Sequence, residues 1–313
     1  MLEILLSTMS TWLTKDNKVK RLLPIFVLTF IIIGVAYQWL KPNDYLATME
    51  IKTIPSIFGA TLSTYSQTLE NSDMEALKND RFKQIMRSND SVFIYDYSIE
   101  RVNDSISKAT VRIDLESSSL LLRLKILLQD TDFEKRVRST LFDFNGKLKE
   151  HLESFRVKID GYAEIEDQYC ACVSLETDQL QKAQGMMKNY SLLGQFLLQN
   201  KLQPVGEPFV QITHWDREKN LIKYDFCYPL DSDTQMIPHE LISFKTRKKF
   251  KALKAVYNGN YISSDRAWYY LLDHAGKHEI TLIEQPLEIF YNNPNMGGNS
   301  LDWKAEVFMP LAE

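Results

Sequence analysis

A carboxylate inside an apolar strand is the residue best placed to do chemistry in this sequence. Glu306 stands in Glu306-Val307-Phe308-Met309-Pro310-Leu311. A lone carboxylate among apolar neighbours is costly unless something pairs with it. A bound organic cation would supply the pair, and aromatic walls would add cation–π attraction. Tyr261, Trp268, Phe290, Tyr291 and Trp303 are the candidate walls, although aromatics at such spacings also serve as plain core. Asp225 holds the matching place in Asp225-Phe226-Cys227-Tyr228-Pro229-Leu230, again four residues before a Pro-Leu. The C-terminal part therefore reads as an internal repeat. By strand alternation Glu306, Phe308 and Pro310 share one face, and Val307 and Met309 take the other. Were Glu306 a general base acting on water, Tyr261 would be the second polar group, which makes a hydrolase one alternative. A non-catalytic protein-interaction module is another.

Other groupings are weaker. His274 and His278 are four apart across Gly276 and read as a solvated helix end rather than a metal pair. No G-x-S-x-G, Walker A, G-x-G-x-x-G or H-E-x-x-H pattern is present. Cys170 and Cys172 point the same way on a strand, a spacing that suits neither a mutual disulfide nor a four-ligand zinc site. Three small buried residues is the expectation for the cysteines; in an exported chain Cys227 could pair with Cys170 or Cys172. The run Lys245-Thr246-Arg247-Lys248-Lys249-Phe250-Lys251 reads as a solvated charged strand. No cofactor or metal is expected.

These groups must be held by something, and the N-terminus says where. Leu22–Leu40 holds 19 consecutive uncharged residues, about 28 Å as a helix and close to the hydrocarbon thickness of a bilayer. Lys15, Lys18, Lys20 and Arg21 precede it, so the positive-inside bias places residues 1–21 in the cytosol and the bulk of the chain outside, periplasmic or extracellular. Tyr37-Gln38-Trp39-Leu40-Lys41-Pro42 is a poor cleavage site, which favours an anchor over a signal peptide. Met1–Leu13 could lie along the membrane surface or fray. The 313-residue chain is 44% hydrophobic and 25% charged, with net charge −4. Residues 1–40 carry four basic and two acidic side chains, leaving 33 basic and 39 acidic in the rest, a net −6. An acidic soluble part argues against nucleic acid, which rewards basic grooves.

The pattern beyond the anchor is α+β. Residues 45–54 alternate as a strand and 57–70 form a helix; 73–87 read as a polar helix or turn. Strands follow at 92–101, 107–116 and 120–128, then an amphipathic helix over 132–155. A strand at 168–176 leads to a helix over 177–202, with Thr177 as candidate N-cap. A hairpin pairs 209–215 with 220–230. The same order recurs as a strand at 250–257, a helix at 263–274 stopped by Ala275-Gly276, and a hairpin of 286–292 with 302–311. Two strand-helix-strand-strand units can pack about a pseudo-twofold axis with a groove between them.

The element order of residues 44–158 resembles the SRPBCC (START-like) helix-grip fold, which implies a curved antiparallel sheet around a C-terminal helix. Residues 164–313 resemble the GyrI-like, or AraC-type (bacterial transcription activator), effector-binding domain. The match rests on Gly206-x-Pro208-Phe209, Tyr224–Leu230, Gly259-x-Tyr261, the helix through Ala267, Trp268 and Leu271, Glu288-x-Phe290-x-x-x-Pro294, and the closing Glu306–Leu311. This chain has Phe290 where the family commonly has tyrosine, and Tyr257 where histidine is frequent. The resemblance implies a groove between repeats that takes cationic, aromatic or amphipathic small molecules, with Glu306 as the ligand-facing acid. The resulting expectation is a membrane-anchored small-molecule-binding protein rather than an enzyme.

Overall fold

The computed structural model describes residues 17–40, 43–88, 91–103, 106–119, 122–123, 125–126 and 129–312. Helix α1 (Asn17–Leu40) contains the expected anchor segment. Its described side chains, 24–34 and 36, are all exposed, Phe26 at 71% and Phe30 at 79%. Among the described residues, no helix is long and apolar enough to cross a membrane. Residues 1–16, including the Met1–Leu13 stretch, lie outside the described residues.

The first sheet is built from β1 (Tyr45–Ile51), β2 (Ser72–Leu77), β3 (Arg81–Ser88), β4 (Ser91–Arg101) and β5 (Ser107–Leu115) in the order β1-β5-β4-β3-β2. Helices α2 (Pro55–Thr68) and α3 (Asp132–Glu153) pack on it. Pro55 opens α2, where its fixed φ suits the first turn. Thr131 and Glu134 form a capping box at the start of α3. Phe93, Tyr95, Tyr97 and Ile99 alternate inward from β4. Phe58 meets Phe144 edge-on at 5.2 Å and Tyr97 at 6.0 Å, so side chains occupy the centre of this half. Two local expectations are corrected. Residues 73–87 form the β2–β3 hairpin, because Asn79 and Asp80 both adopt positive φ and close its turn. Within 120–128 the described residues 122–123 and 125–126 are helical, not extended.

The second sheet contains β6 (Phe155–Ile165), β7 (Gln168–Asp178), β8 (Phe209–Asp216), β9 (Leu221–Pro229), β10 (Ser243–Arg247), β11 (Phe250–Gly259), β12 (Leu287–Phe290) and β13 (Lys304–Pro310). Their order is β10-β7-β9-β8-β12-β13-β11-β6. The expected duplicated β-α-β-β arrangement is therefore present. Each copy contributes first, third and second strand, and the copies meet where β8 pairs with β12. Helices α4 (Lys182–Gln199) and α5 (Arg266–Lys277) complete the copies. Strand β6, which pairs with β11 of the second copy, was not anticipated, and the basic run expected as one strand is split between β10, which pairs with β7 of the first copy, and the start of β11. Two-residue links at 166–167 and 248–249 bring both sheet edges to one corner. There Arg247 donates to the Glu166 carbonyl and Lys249 N–H to the Asp167 carboxylate. In the basic run, Lys248, Lys249 and Lys251 are exposed, whereas Lys245 is paired with Asp225.

The helix ends also differ from expectation. Thr177 stays in β7, paired with Ile222, and α4 begins at Lys182 without a side-chain cap. Helix α5 runs through Ala275-Gly276 to Lys277, and His274 and His278 meet at its end with ring centroids 4.2 Å apart and planes tilted by 39°. Gly185 lets α4 lie close to β9: a Cβ there would collide with the Tyr224 hydroxyl, which donates to the Lys182 carbonyl.

The two sheets are joined through side chains. Ile54 and Ile57 belong to the core of the second sheet, and Leu152 packs against both cores. Arg101 pairs with Asp273 across the junction. Arg266 donates to His151 Nε2 at 3.1 Å and lies 3.5 Å from the Thr64 hydroxyl.

Candidate functional site

A cavity of about 770 Å³ opens between α4, the 206–208 turn, β9, the 260–262 turn and the 290–295 loop. This is within the roughly 300–1,000 Å³ typical of small-molecule sites. Strand alternation builds one wall. Phe226 and Tyr228 project from β9 toward the helices, while Asp225 and Cys227 face away. The 260–262 turn, capped by the Asn260 side chain, supplies Tyr261, and the end of β12 supplies Phe290. Tyr261 lies 4.8 Å from Phe290 and 5.9 Å from Trp303, centroid to centroid. Helix α4 contributes Ala183, Met186, Met187 and Tyr190. The floor residues Ala183, Phe226, Tyr261 and Phe290 are buried, while Met187, Tyr190, Ile262 and Tyr291 form an accessible rim. Asn293 reaches across to the Tyr190 hydroxyl at 3.3 Å.

The cavity is electrically one-sided. Among its described lining residues Glu207 is the one carboxylate, and none is Lys or Arg. Burial pushes the Tyr261 and Tyr291 hydroxyls up to about 12, and that of Tyr228 upward as well; the charge of Glu207 adds to each shift. These tyrosine walls are therefore neutral at physiological pH. The Tyr261 hydroxyl donates to the Lys304 carbonyl at 2.7 Å and accepts from Asn292 N–H at 3.1 Å, which fixes the ring.

Of the residues expected from sequence, Tyr261, Phe290, Tyr291 and Trp303 line the cavity together. Glu306 and Trp268 do not. Glu306 shares the Phe308 face of β13, opposite Ala305, Val307 and Met309, which pack under the helices. Lys254 at 3.1 Å and Lys304 at 2.8 Å hold its carboxylate, and Tyr291 donates to it at 2.8 Å. Burial alone would raise its pKa; hydrogen bonds from Lys304, Tyr291 and Lys254 outweigh that and hold it below the ordinary glutamate range. A depressed carboxylate is a weak base, and this one meets the cavity through Tyr291. Its repeat mate Asp225 is held likewise on the outer face by Lys245 and Ser174, both at 2.6 Å. The hydroxyl missing at Phe290 is not restored in the cavity by Tyr291, whose hydroxyl is spent on Glu306.

Of the two buried acids of this half, Asp265 and Glu288, Glu288 stands next to a cavity residue, with Lys182 adjoining Ala183 of the lining. It sits two residues before Phe290, on the same face of β12, with its side chain fully buried. Lys182, the first residue of α4 and only 1% exposed, contacts both carboxylate oxygens at 2.5 and 2.6 Å. Trp268 Nε1–H donates to Glu288 at 2.6 Å and the Ser264 hydroxyl at 2.9 Å. Trp268 also offers its ring face to the Lys182 ammonium at 4.7 Å. Beside this cluster Gln179 ties Asp265, Trp215 and Tyr269 together, and Asp265 pairs with Arg266, the first residue of α5. Each helix thus begins with a buried cation where the helix dipole opposes one, and each cation has its own carboxylate. The signal for Glu288 was available in the alternation that puts it on the Phe290 side. Glu207, inside Gly206-x-Pro208, carried none.

No family model matches this chain, and no curated protein matches it. Among solved structures it is similar to EcmrR in a complex with DNA, at 18% identity over 63% of this chain and 74% of that one, with a TM-score of 0.43. It is also similar to the EcmrR C-terminal domain, at 16% identity over 51% of this chain and 98% of that one, with a TM-score of 0.42. SAV2435 bound to tetraphenylphosphonium is similar at 8% identity over 50% of this chain and 93% of that one, with a TM-score of 0.32.

Proposed function

We propose that this chain is a membrane-anchored small-molecule-binding protein of effector-binding type, and that its cavity captures an amphipathic aromatic cation. The observation that carries the reading is the composition of the wall: seven aromatic side chains and one carboxylate, with no basic residue, around about 770 Å³. Neutral aromatic faces attract a delocalised cation by about 0.5–2 kcal/mol each. Their apolar area rewards its hydrophobic part at roughly 25 cal/mol per Å². Glu207 at the rim biases entry toward positive charge. Titration calorimetry with tetraphenylphosphonium is expected to show one site per chain. Glu207→Gln is expected to weaken it about three- to tenfold, while neutral triphenylphosphine oxide binds more weakly and without regard to that change. Equal affinity for the cation and the neutral compound would remove the charge from this reading.

The anchor is part of the same proposal. The described apolar side chains of α1 are exposed on every side of the helix, which suits lipid rather than a protein partner. Lys18, Lys20 and Arg21 on the N-terminal side support a cytosolic N-terminus and an external cavity. An amine-reactive reagent that cannot cross membranes is then expected to label lysines of residues 41–313 in intact cells. Labelling that appears only after permeabilisation would reverse the orientation.

A further inference from the structure

The face of the second sheet turned away from the helices carries a second feature, separate from the cavity. Cys170 and Cys172 on β7 and Cys227 on β9 place their sulfur atoms within 4.8 Å of one another. Cys172 and Cys227 are direct cross-strand partners joined in a disulfide, which corrects the expectation of three plain buried cysteines. Cys170 remains a free, buried thiol, its sulfur 3.4 Å from that of Cys172. Ile165, Phe209, Ala252, Leu287 and Phe308 enclose the group and keep water out. Arg247 lies over the Phe209 ring at 5.1 Å and interacts electrostatically with Cys170, yet its buried Nε–H has no hydrogen-bond partner. An orphan N–H on a guanidinium that interacts with Cys170 is a spare donor on the side of the group where negative charge would develop.

We propose that the reduced chain binds one copper(I) ion through Cys170, Cys172 and Cys227. Three thiolates in an apolar enclosure suit a soft monovalent ion that accepts three ligands. Zinc would ask for a fourth, and Asp225, the carboxylate that interacts with Cys170, is already held by Lys245 and Ser174. Three thiolates around one monovalent ion leave excess negative charge, which Arg247 offsets. The disulfide and the metal exclude each other, since the bond occupies two of the three ligands. Entry therefore requires a dithiol reductant: it gives two electrons and two protons to the Cys172–Cys227 bond and is itself oxidised to a disulfide. Copper(I) then displaces the thiol protons.

The test uses full-length protein reduced anaerobically with dithiothreitol, desalted, and titrated with copper(I) against a chromogenic copper(I) chelator. Reduced wild type is expected to withdraw one ion per chain, with near-UV circular dichroism reporting intact packing. Cys170→Ser and Cys170→Ala both keep the 172–227 pair and are expected to lower affinity at least about tenfold. Arg247→Met is expected to lower it less, and the disulfide form to withdraw none. Reduced wild type binding no better than Cys170→Ser, copper uptake only on loss of packing, or zinc bound as tightly as copper would overturn the assignment.

Discussion

Replacing Glu288 by glutamine is expected to destabilise the protein by about 3–5 kcal/mol, the range found when one partner of a buried ion pair is removed. The change keeps the volume and removes the charge. It leaves the Lys182 ammonium at 1% exposure with neutral acceptors alone, the amide oxygen and the Ser264 hydroxyl at 2.9 Å, and no counter-charge. Lys182→Met should cost less, because the stranded carboxylate keeps two donors, Trp268 Nε1–H and the Ser264 hydroxyl. The double variant Lys182→Met/Glu288→Gln is expected to cost less than the sum of the single changes, since no charge is left buried, the amide oxygen can accept from Trp268 Nε1–H and the amide NH2 can donate to the Ser264 hydroxyl oxygen. Denaturant midpoints of the four proteins measure that coupling. A Glu288→Gln variant as stable as wild type would show that the pair is not what holds α4 against the second copy.

The position of this pair bears on the cavity. Ala183, next to Lys182, lies in its floor, and Ser264 follows the turn that carries Tyr261. The pair therefore fixes where α4 and the 260–262 turn stand relative to each other, which is the width of the site. A buried ion pair adds little net stability over an apolar substitute of equal volume; its contribution here is to specify one arrangement of two helix N-termini. Neither helix could start with a basic residue at this depth unless a carboxylate were built in beside it.

How much of this was legible in the sequence follows from which patterns are local. The repeat was legible because Asp225 and Glu306 each sit four residues before a Pro-Leu, and the sheet order bears it out. Alternation also separated Glu306 from Val307 correctly. It could not say which face the helices cover, and so could not say that Glu306 stands outside the cavity lining. The Lys182–Glu288 pair spans 106 residues and has no local signature. The Cys172–Cys227 bond depends on β9, rather than β8, lying beside β7, a choice made by chain crossing and not by strand pattern. Strand β6 alternates clearly, as Phe155-Arg156-Val157-Lys158-Ile159 shows. It was merged into the preceding helix and linker because its partner, β11, lies about ninety residues away.

Acid is expected to loosen the junction between the two sheets at His151. Arg266 Nε–H donates to His151 Nε2, so that nitrogen must carry a lone pair and the ring must be neutral. Burial, with the nearby Arg266 charge, pushes the histidine down to about 4 from an ordinary 6.5. Above pH 6.5 the ring is neutral in folded and unfolded chain alike, and the group leaves stability unchanged. Between about 6.5 and 4 the unfolded chain takes up a proton that the folded chain refuses, so stability falls as pH falls. Below about 4 both forms are protonated and this contribution levels off. The shift corresponds to about 3 kcal/mol at full burial, and partial solvent access to the ring reduces it to about 2 kcal/mol. His151→Gln offers Arg266 a carbonyl oxygen that does not titrate in this range. Its denaturant midpoint is expected to lose most of the wild-type slope between pH 6.5 and 4 while staying close to wild type at pH 7.5. If instead the variant kept the full slope, the acid sensitivity would belong to other groups, and the Arg266–His151 contact would not be what closes the junction.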